Sequence, residues 1–184
     1  MRQRSIYVSP WRIDLLVRDG VDPLVPLSRL ARTAAVALDA AGAPTPASIG
    51  LIFSDDVELT ELNEAHMDAE GPTDVLSFPL LAVESFPIHE GQEPASARPA
   101  GSPRNFSTPP GRRAHLGDVV MSVERASEQA AAGRGGQTGD VRWSPGQELR
   151  LLVAHGVLHV CGWDHASPTE EAAMRALEQR ILAE

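Results

Sequence analysis

The chain has 184 residues, of which 42% are hydrophobic and 22% are charged, and its formal net charge at pH 7 is −9. This length fits one domain, and the composition excludes a disordered or fibrous chain. The net charge excludes a surface that is basic all round, so any surface that binds RNA phosphates must be local.

Neither the cysteine content nor the apolar runs of the chain indicate secretion or membrane insertion. Cys161 is the single cysteine, so no internal disulfide can form. No apolar run reaches the roughly 18 residues needed to cross a bilayer, and no signal-peptide pattern opens the sequence. We therefore expect a cytoplasmic protein.

The first half of the chain alternates segments typical of strands with segments typical of helices. The strand patterns are at residues 5–8, 12–17, 48–54 and 73–79. Helical spacing of apolar residues begins after Pro26 and stops at Gly42. A second helix is predicted at 56–66, where Asp55 and Glu58 resemble a capping box.

The second half opens with a segment of different composition, residues 82–114, which is rich in Pro, Gly, Ser, Glu and Arg and has no apolar period. We interpret it as a long insertion, flexible or acting as a surface lid. A strand is then predicted at 116–122 and a helix at 123–133. Two capped helices with a first-turn proline follow, beginning at Ser144 and Ser167.

This order of elements predicts an α/β sandwich, in which a small mixed, mostly parallel sheet has helices packed on it. We expect a single domain over residues 1–184, with the insertion at 82–114. The helix after Ser144 is apolar on nearly every side, so it is expected at the centre of the domain.

Three of the six histidines fall in the stretch HGVLHVCGWDH, residues 155–165. His155 and His159 are four residues apart on the predicted central helix, so their side chains project from one face with Cβ atoms about 5–6 Å apart. Two imidazole nitrogens at that spacing can bind one ion at about 2.0–2.1 Å. Gly162 breaks the helix and His165 follows in the turn, which predicts a metal site of three histidines with an open position for water.

The alternative is that these histidines are core residues with satisfied hydrogen bonds, but burying three imidazoles without partners would cost several kcal/mol. Imidazole ligands in this number suit zinc, although iron, nickel and copper also accept them. Cys161 is the candidate fourth ligand of a closed, structural site. It lies about 200° round the helix from His159, so we expect it to point away.

The spacing of the three histidines is also that of the metzincin proteases, in which a glutamate after the first histidine is the general base. Gly156 occupies that place here. Glycine cannot accept a proton from water, so the helix is metzincin-like in its ligands but lacks the base for peptide hydrolysis.

The same stretch resembles the HGxLHLxGYDH signature of the YbeY family of bacterial metal-dependent endoribonucleases. Two further blocks are similar to that family in the same order: GPTDVLSFP at 71–79 resembles its PTDVLSFP, and HLGDVVMS at 115–122 resembles its LGDI strand. The resemblance covers nearly the whole chain apart from 82–114 and the first few residues.

The resemblance implies that His155, His159 and His165 bind one zinc ion. It also implies cleavage of single-stranded ribosomal RNA, near the 3′ end of the small-subunit RNA, and a part in ribosome quality control. The implied partners are therefore ribosomal RNA, the small ribosomal subunit and ribosomal proteins, and no membrane.

One departure from the family pattern concerns an arginine that the family places shortly before PTDVLSFP and that is thought to act at the active site. Alignment of LNEAHMDAEGPTDVLSFP puts Met67 there. A mechanism in which this arginine holds the scissile phosphate therefore needs a substitute. The candidate arginines are Arg112, Arg113, Arg142 and Arg150.

Three aspartates are candidates for the group that takes the proton during hydrolysis. Asp164 is next to His165, and its alternative role is to hold that histidine in one tautomer as a partner behind the metal ligands. Asp74 and Asp118 lie in the two strand blocks, where each can instead cap a turn or pair with an arginine. The sequence leaves this choice open.

Two other functions stay open beside the endoribonuclease. One is a zinc hydrolase of another substrate such as a peptide, which Gly156 disfavours. The other is a ribosome-associated binding module with a structural zinc ion, which requires a closed coordination sphere that includes Cys161.

Overall fold

The computed structural model describes residues 1–67, 70–89, 91–92, 113–133 and 143–184. Its strands are β1 (Arg2–Val8), β2 (Trp11–Val17), β3 (Ala47–Ser54), β4 (Val75–Pro79) and β5 (Ala114–Ser122). Its helices are α1 (Leu27–Ala40), α2 (Asp56–Met67), α3 (Val123–Ala131), α4 (Pro145–Val160) and α5 (Pro168–Ala183). A short 3-10 helix spans Val83–Ser85. Within these residues, no helix combines the length and the hydropathy that a membrane span requires.

The five strands form one sheet in the order β1-β2-β3-β5-β4. Strands β2, β3 and β5 run parallel, whereas the two outer strands, β1 and β4, are each antiparallel to their neighbour. The predicted mixed α/β fold is therefore confirmed, with parallel strands at its centre.

The two faces of the sheet pack against different helices because the strand side chains alternate. Inward residues of the central strands, such as Ile13 and Leu51, join the main core with residues from α1, α3, α4 and α5. On the other face, Leu59 of α2 packs with Leu76 and Val120 in a smaller cluster. The sheet thus lies between one layer of four helices and the single helix α2.

Helix α4 lies at the centre of the helical layer, as its sequence predicts. It contacts β4, β5, α1, α3 and α5. A complete capping box of Ser144 and Gln147 begins it, which satisfies backbone N–H groups that the first turn leaves unpaired. Gly162, with φ of 84°, adopts the left-handed conformation just after its end. These local signals fix where the metal-site helix begins and ends.

Several boundaries differ from the predicted ones. Strand β1 begins at Arg2, earlier than predicted, because it pairs along its whole length with the next strand, β2. Strand β5 begins early, at Ala114, because it pairs with β3, which is distant in sequence. At α2, Asp55 accepts a hydrogen bond from the backbone N–H of Glu58 at 3.0 Å, as predicted. The Glu58 carboxylate pairs with Arg18 on the β2 side. The capping box is therefore only half formed.

The predicted insertion, 82–114, is bounded by defined structure at both ends. Phe86 is only 7% exposed and belongs to the main core. His89 stacks on Trp163, with ring centroids 4.2 Å apart, and its Nε2 lies 3.1 Å from the carbonyl oxygen of Gly162. Residues 90 and 93–112 of the insertion lie outside the described part of the chain. The start of this segment thus packs against the turn that carries the last histidine.

Candidate metal centre

The three predicted histidines are brought together at the end of α4. His155 and His159 are on the helix, and His165 follows the turn made by Gly162. Among the residues that the structure describes, these three form the group whose donor atoms can hold a metal ion, all within 4.8 Å of one another. The i, i+4 spacing and the helix-ending glycine together produce this convergence.

The geometry of the group fits a metal ion with imidazole ligands. The Nε2 atoms of His155 and His159 are 3.0 Å apart. Two metal–nitrogen bonds of about 2.0–2.1 Å at a tetrahedral angle would separate the two nitrogens by about 3.3–3.4 Å, so only a small adjustment is needed. The third ring, His165, is exposed. Three ligands with one exposed side leave room for a fourth, exchangeable ligand.

Glu178 of α5 orients the first histidine. Its Oε1 atom accepts a hydrogen bond from Nδ1 of His155 at 2.7 Å, and both side chains are largely buried. With its proton on Nδ1, His155 presents the Nε2 lone pair toward the other histidines. Carboxylates that accept from the second ring nitrogen commonly orient metal-binding histidines in this way. The sequence prediction missed Glu178. The sequence feature that could have identified it is an acidic residue next to the apolar positions Met174, Leu177 and Ile181 of α5.

His159 is held in its neutral, metal-binding form. Burial, together with the neighbouring imidazoles of His155 and His165, lowers the pKa of His159 to about 4. Its ring is therefore neutral at pH 7, and a neutral imidazole nitrogen is the form that binds metal.

Cys161 is outside the histidine group. It is 1% exposed in the main core, and burial raises the pKa of its thiol to about 12. A thiol must lose its proton to bind zinc. Its position therefore agrees with the prediction that it points away from the metal site.

Gly156 packs against the sheet rather than facing the histidines. A Cβ atom at this position would lie 2.3 Å from Cγ1 of Val119 and 3.0 Å from Cγ2 of Val75. The backbone oxygen of Gly156 accepts a hydrogen bond from Ser77 at 3.0 Å. The structure therefore has no room for a glutamate at the place where metzincins carry their base.

Two spaces flank the histidines. The first, which we call the β4 cleft, has a volume of about 400 Å³. It is lined by Met67, Thr73, Asp74, Val75, Leu76, Ser77, Pro79 and all three histidines. The second, the α5 recess, has a volume of about 230 Å³. It is lined by His155, His165, Glu171, Met174, Arg175 and Glu178.

The three candidate aspartates occupy different places. Asp74 lines the β4 cleft, and its carboxylate accepts a hydrogen bond from Gln129 at 2.9 Å. Asp164 accepts one from the backbone N–H of His165 at 2.8 Å, so it orients the turn. Asp118 pairs with the ring of His115 at 3.1 Å and lines neither of the two spaces.

Of the candidate substitutes for the family arginine, the two that the structure describes, Arg113 and Arg150, line neither space. Arg113 donates to the backbone oxygen of Pro10 and lies over the ring of Tyr7. Arg150 donates to Thr33 Oγ1 at 3.0 Å, on the side of α4 that faces α1. Arg112 and Arg142 lie outside the described residues. The guanidinium that lines the α5 recess belongs instead to Arg175, which the sequence prediction did not consider.

Among solved structures, the chain is similar to the solution structure of TM1509 from Thermotoga maritima. It is 19% identical to this chain, with a TM-score of 0.49, and the match covers 94% of this chain and 89% of that one.

Comparison with known sequences identifies the family. Curated proteins named Endoribonuclease YbeY, from Mycolicibacterium gilvum (strain PYR-GCK) and Mycobacterium bovis (strain BCG / Pasteur 1173P2), are each 38% identical to this chain over 138 residues. The match covers 75% of this chain and only 64% of each relative. The family model described as Endoribonuclease YbeY matches residues 25–184. The resemblance found in the sequence motifs is therefore confirmed, and the chain belongs to the YbeY family.

Proposed function

We propose that this chain is a zinc-dependent endoribonuclease that cleaves single-stranded ribosomal RNA near the 3′ end of the small-subunit RNA. The convergence of three imidazole donors beside an open cleft carries the proposal. Membership of a family whose curated relatives are named endoribonucleases supports it. The proposal includes a single cytoplasmic domain, contact with the small ribosomal subunit and its proteins, and a part in ribosome quality control.

In the proposed mechanism, His155, His159 and His165 bind the zinc ion as neutral ligands. A zinc ion held by these three neutral ligands would keep its full charge and would supply Lewis-acid chemistry, which lowers the pKa of water to about 7 and polarises phosphoryl oxygens. Glu178 keeps the proton of His155 on Nδ1, so that Nε2 stays free to bind. Imidazole ligands also suit iron, nickel and copper, so the identity of the metal is part of the proposal.

Asp74 is our first candidate for the proton acceptor, because it shares the β4 cleft with all three histidines. Its carboxylate accepts a hydrogen bond from Gln129 and can accept a proton, as a general base must. Asp164 remains the second candidate, with the alternative role of positioning His165 through its backbone N–H. Substitution of each aspartate distinguishes the two.

The two alternative functions have less support. Hydrolysis of a peptide requires a base, and the close packing of Gly156 against Val119 leaves no space for the metzincin glutamate. A purely structural zinc ion would require a fourth protein ligand, and Cys161 lies outside the group of converging donors. An open position for water fits catalysis better than it fits a structural role.

The first test is the metal content of the purified protein, measured by mass spectrometry for the wild type beside His155→Ala. We expect about one zinc ion per wild-type chain and clearly less in the variant. A carefully prepared wild type without metal would contradict the zinc site.

The second test is digestion of labelled single-stranded RNA and of casein by the zinc-loaded protein, with His159→Ala as control. The proposal predicts cleavage of RNA only, and loss of that cleavage in the variant. Digestion of casein alone would favour the peptidase, whereas a zinc-loaded protein that cleaves neither would favour the binding module.

A further inference from the structure

Arg175 is placed beside the histidines by the packing of α5 against α4. It lines the α5 recess together with His155 and His165. The recess has a volume of about 230 Å³, several times the roughly 30 Å³ that one water molecule occupies in the liquid. It therefore has room for a phosphate group with bridging water.

The hydrogen bonds of Arg175 are incomplete. Its Nη2 atom donates to Oε1 of Glu171 at 2.6 Å, one helical turn earlier. Its Nε atom is buried and has no hydrogen-bond partner within the described part of the chain. A buried donor without an acceptor costs about 1–3 kcal/mol, so a shift of the Arg175 side chain that brings Nε to an acceptor would be favourable.

Arg175 is the group of the recess that suits an anion. A guanidinium presents a planar fork of donors that matches two oxygens of one phosphate group. The two acidic residues of the recess differ in their availability: Glu178 is occupied by His155, whereas the side chain of Glu171 is 46% exposed. An ion pair this exposed contributes little, so a phosphate can compete with Glu171 for Arg175.

We propose that Arg175 forms a phosphate-binding subsite in the α5 recess, which holds a phosphodiester group of single-stranded RNA next to the group bound at the histidines. The proposal rests on the proposed function and names the residue that binds the substrate on the α5 side. Glu171 is its internal competitor, because its carboxylate occupies the same guanidinium when no phosphate is bound.

The test measures binding of a fluorescent single-stranded RNA hexamer to the zinc-loaded protein by anisotropy, over a range of salt concentrations. Arg175→Gln is expected to weaken binding about tenfold and to reduce the salt dependence by about one phosphate contact. Glu171→Gln is expected to strengthen binding severalfold, because it frees the guanidinium. Arg180→Gln is the matched control, since it removes the same charge from an exposed position of the same helix.

Two further arms distinguish phosphate binding from a structural role. Arg175→Lys is expected to recover part of the affinity, because it keeps the charge but loses the fork. A hexamer with an uncharged methylphosphonate backbone is expected to bind the wild type and Arg175→Gln equally. Zinc content is measured for every variant. If Arg175→Gln loses zinc or fails to fold, the two other variants test the proposal. Glu171→Gln should then bind the hexamer more strongly than the wild type, and Arg175→Lys should bind it more weakly.

The proposal is overturned if Arg175→Gln binds the charged hexamer like the wild type, or if Arg180→Gln weakens binding equally. Cleavage of labelled RNA by the wild type is measured in parallel. Cleavage without any dependence of binding on Arg175 overturns the subsite and leaves the endoribonuclease standing. Binding that depends on Arg175 without cleavage overturns the endoribonuclease and leaves the phosphate subsite.

Discussion

The β4 cleft and the α5 recess border the same histidines but differ in their charges. Among the described residues that line the β4 cleft, Asp74 is the only one that is an aspartate, glutamate, lysine or arginine, and Met67 is where the family pattern has an arginine. The α5 recess contains Arg175 with two carboxylates. Among the residues that the structure describes, the arginine beside the histidines therefore comes from α5 and not from the end of α2. An acidic protein needs only such local placement to bind an anion.

The largest effect in this comparison is expected for Asp74→Asn on the β4 side. If Asp74 accepts the proton, kcat for RNA cleavage falls by at least about 100-fold, because general-base catalysis contributes about 10²–10⁴-fold. KM and zinc content change little, since Asp74 is outside the group of metal donors. Single-turnover cleavage of labelled RNA gives the measurement.

Asp164→Asn is the matched control for this prediction. The amide keeps the oxygen that accepts from the backbone N–H of His165, so the turn is retained and kcat stays within a fewfold of the wild type. A loss in Asp164→Asn together with full activity of Asp74→Asn would reverse the assignment of the two aspartates.

A second prediction concerns zinc affinity on the α5 side. Glu178→Gln is expected to weaken zinc binding by about 10–100-fold, as is typical when the carboxylate partner of a histidine ligand is removed. Competition with a zinc-binding dye gives the affinity. Glu64→Gln, an exposed position on α2, removes the same charge and is expected to have no effect. Equal zinc affinities for Glu178→Gln and the wild type would contradict the prediction that Glu178 positions His155 for metal binding.

A third change moves a cation into the β4 cleft. Met67 is 46% exposed, so Met67→Arg is tolerated and restores a guanidinium where the family pattern has one. We expect KM for RNA to fall about fivefold, with a smaller change in kcat, because one added phosphate contact contributes about 1 kcal/mol. Met67→Gln supplies a polar side chain without charge as the control. An unchanged KM would show that the β4 cleft does not hold a phosphate.

The smallest expected effect lies outside both spaces and serves as a reference for general stability. Hydrogen bonds from Arg18 lower the pKa of Glu58 from its ordinary value of 4.5. The ionised carboxylate of Glu58 therefore stabilises the fold at pH values above 4.5, the ordinary pKa, which applies to the unfolded chain. This contribution is lost as the pH falls through the lower pKa of the folded state. Glu58→Gln is expected to cost at most about 1 kcal/mol of unfolding free energy at pH 7, since the pair is partly exposed.

Denaturant unfolding between pH 7 and pH 3 tests this prediction. The difference in unfolding free energy between the wild type and Glu58→Gln should shrink below about pH 4.5, where the carboxylate of the unfolded chain is protonated. A difference that grows on acidification would contradict it. RNA cleavage by the variant should equal that of the wild type, which separates stability from effects on the site.

The parts of the site that depend on local signals could be predicted from the sequence. The cap at Ser144, the spacing of His155 and His159 and the break at Gly162 are all encoded within the helix or next to it. These signals place His155 and His159 on one face of the helix and bring His165 back towards them after the turn. The mixed sheet followed in the same way from the alternation of strand and helix patterns.

The parts that depend on tertiary packing could not be predicted. Glu178 contacts His155, and Arg175 lines the recess beside it, only because α5 packs back on α4. A one-dimensional pattern does not specify that geometry. The early start of β5 at Ala114 likewise depends on pairing with β3. The composition of 82–114 gave no indication that Phe86 would join the main core. Sequence reasoning thus found the three histidines that converge and missed the residues that surround them.

The burial of Cys161 has a consequence for the response of the protein to oxidants. Peroxides attack the thiolate, and a buried thiol whose pKa is raised to about 12 presents almost none of it at physiological pH. Sites that hold zinc through thiolates release the ion when those ligands are oxidised, whereas a site of imidazoles has no such ligand to lose. Peroxide is therefore expected to leave the metal content unchanged, so the protein would keep its metal during oxidative stress.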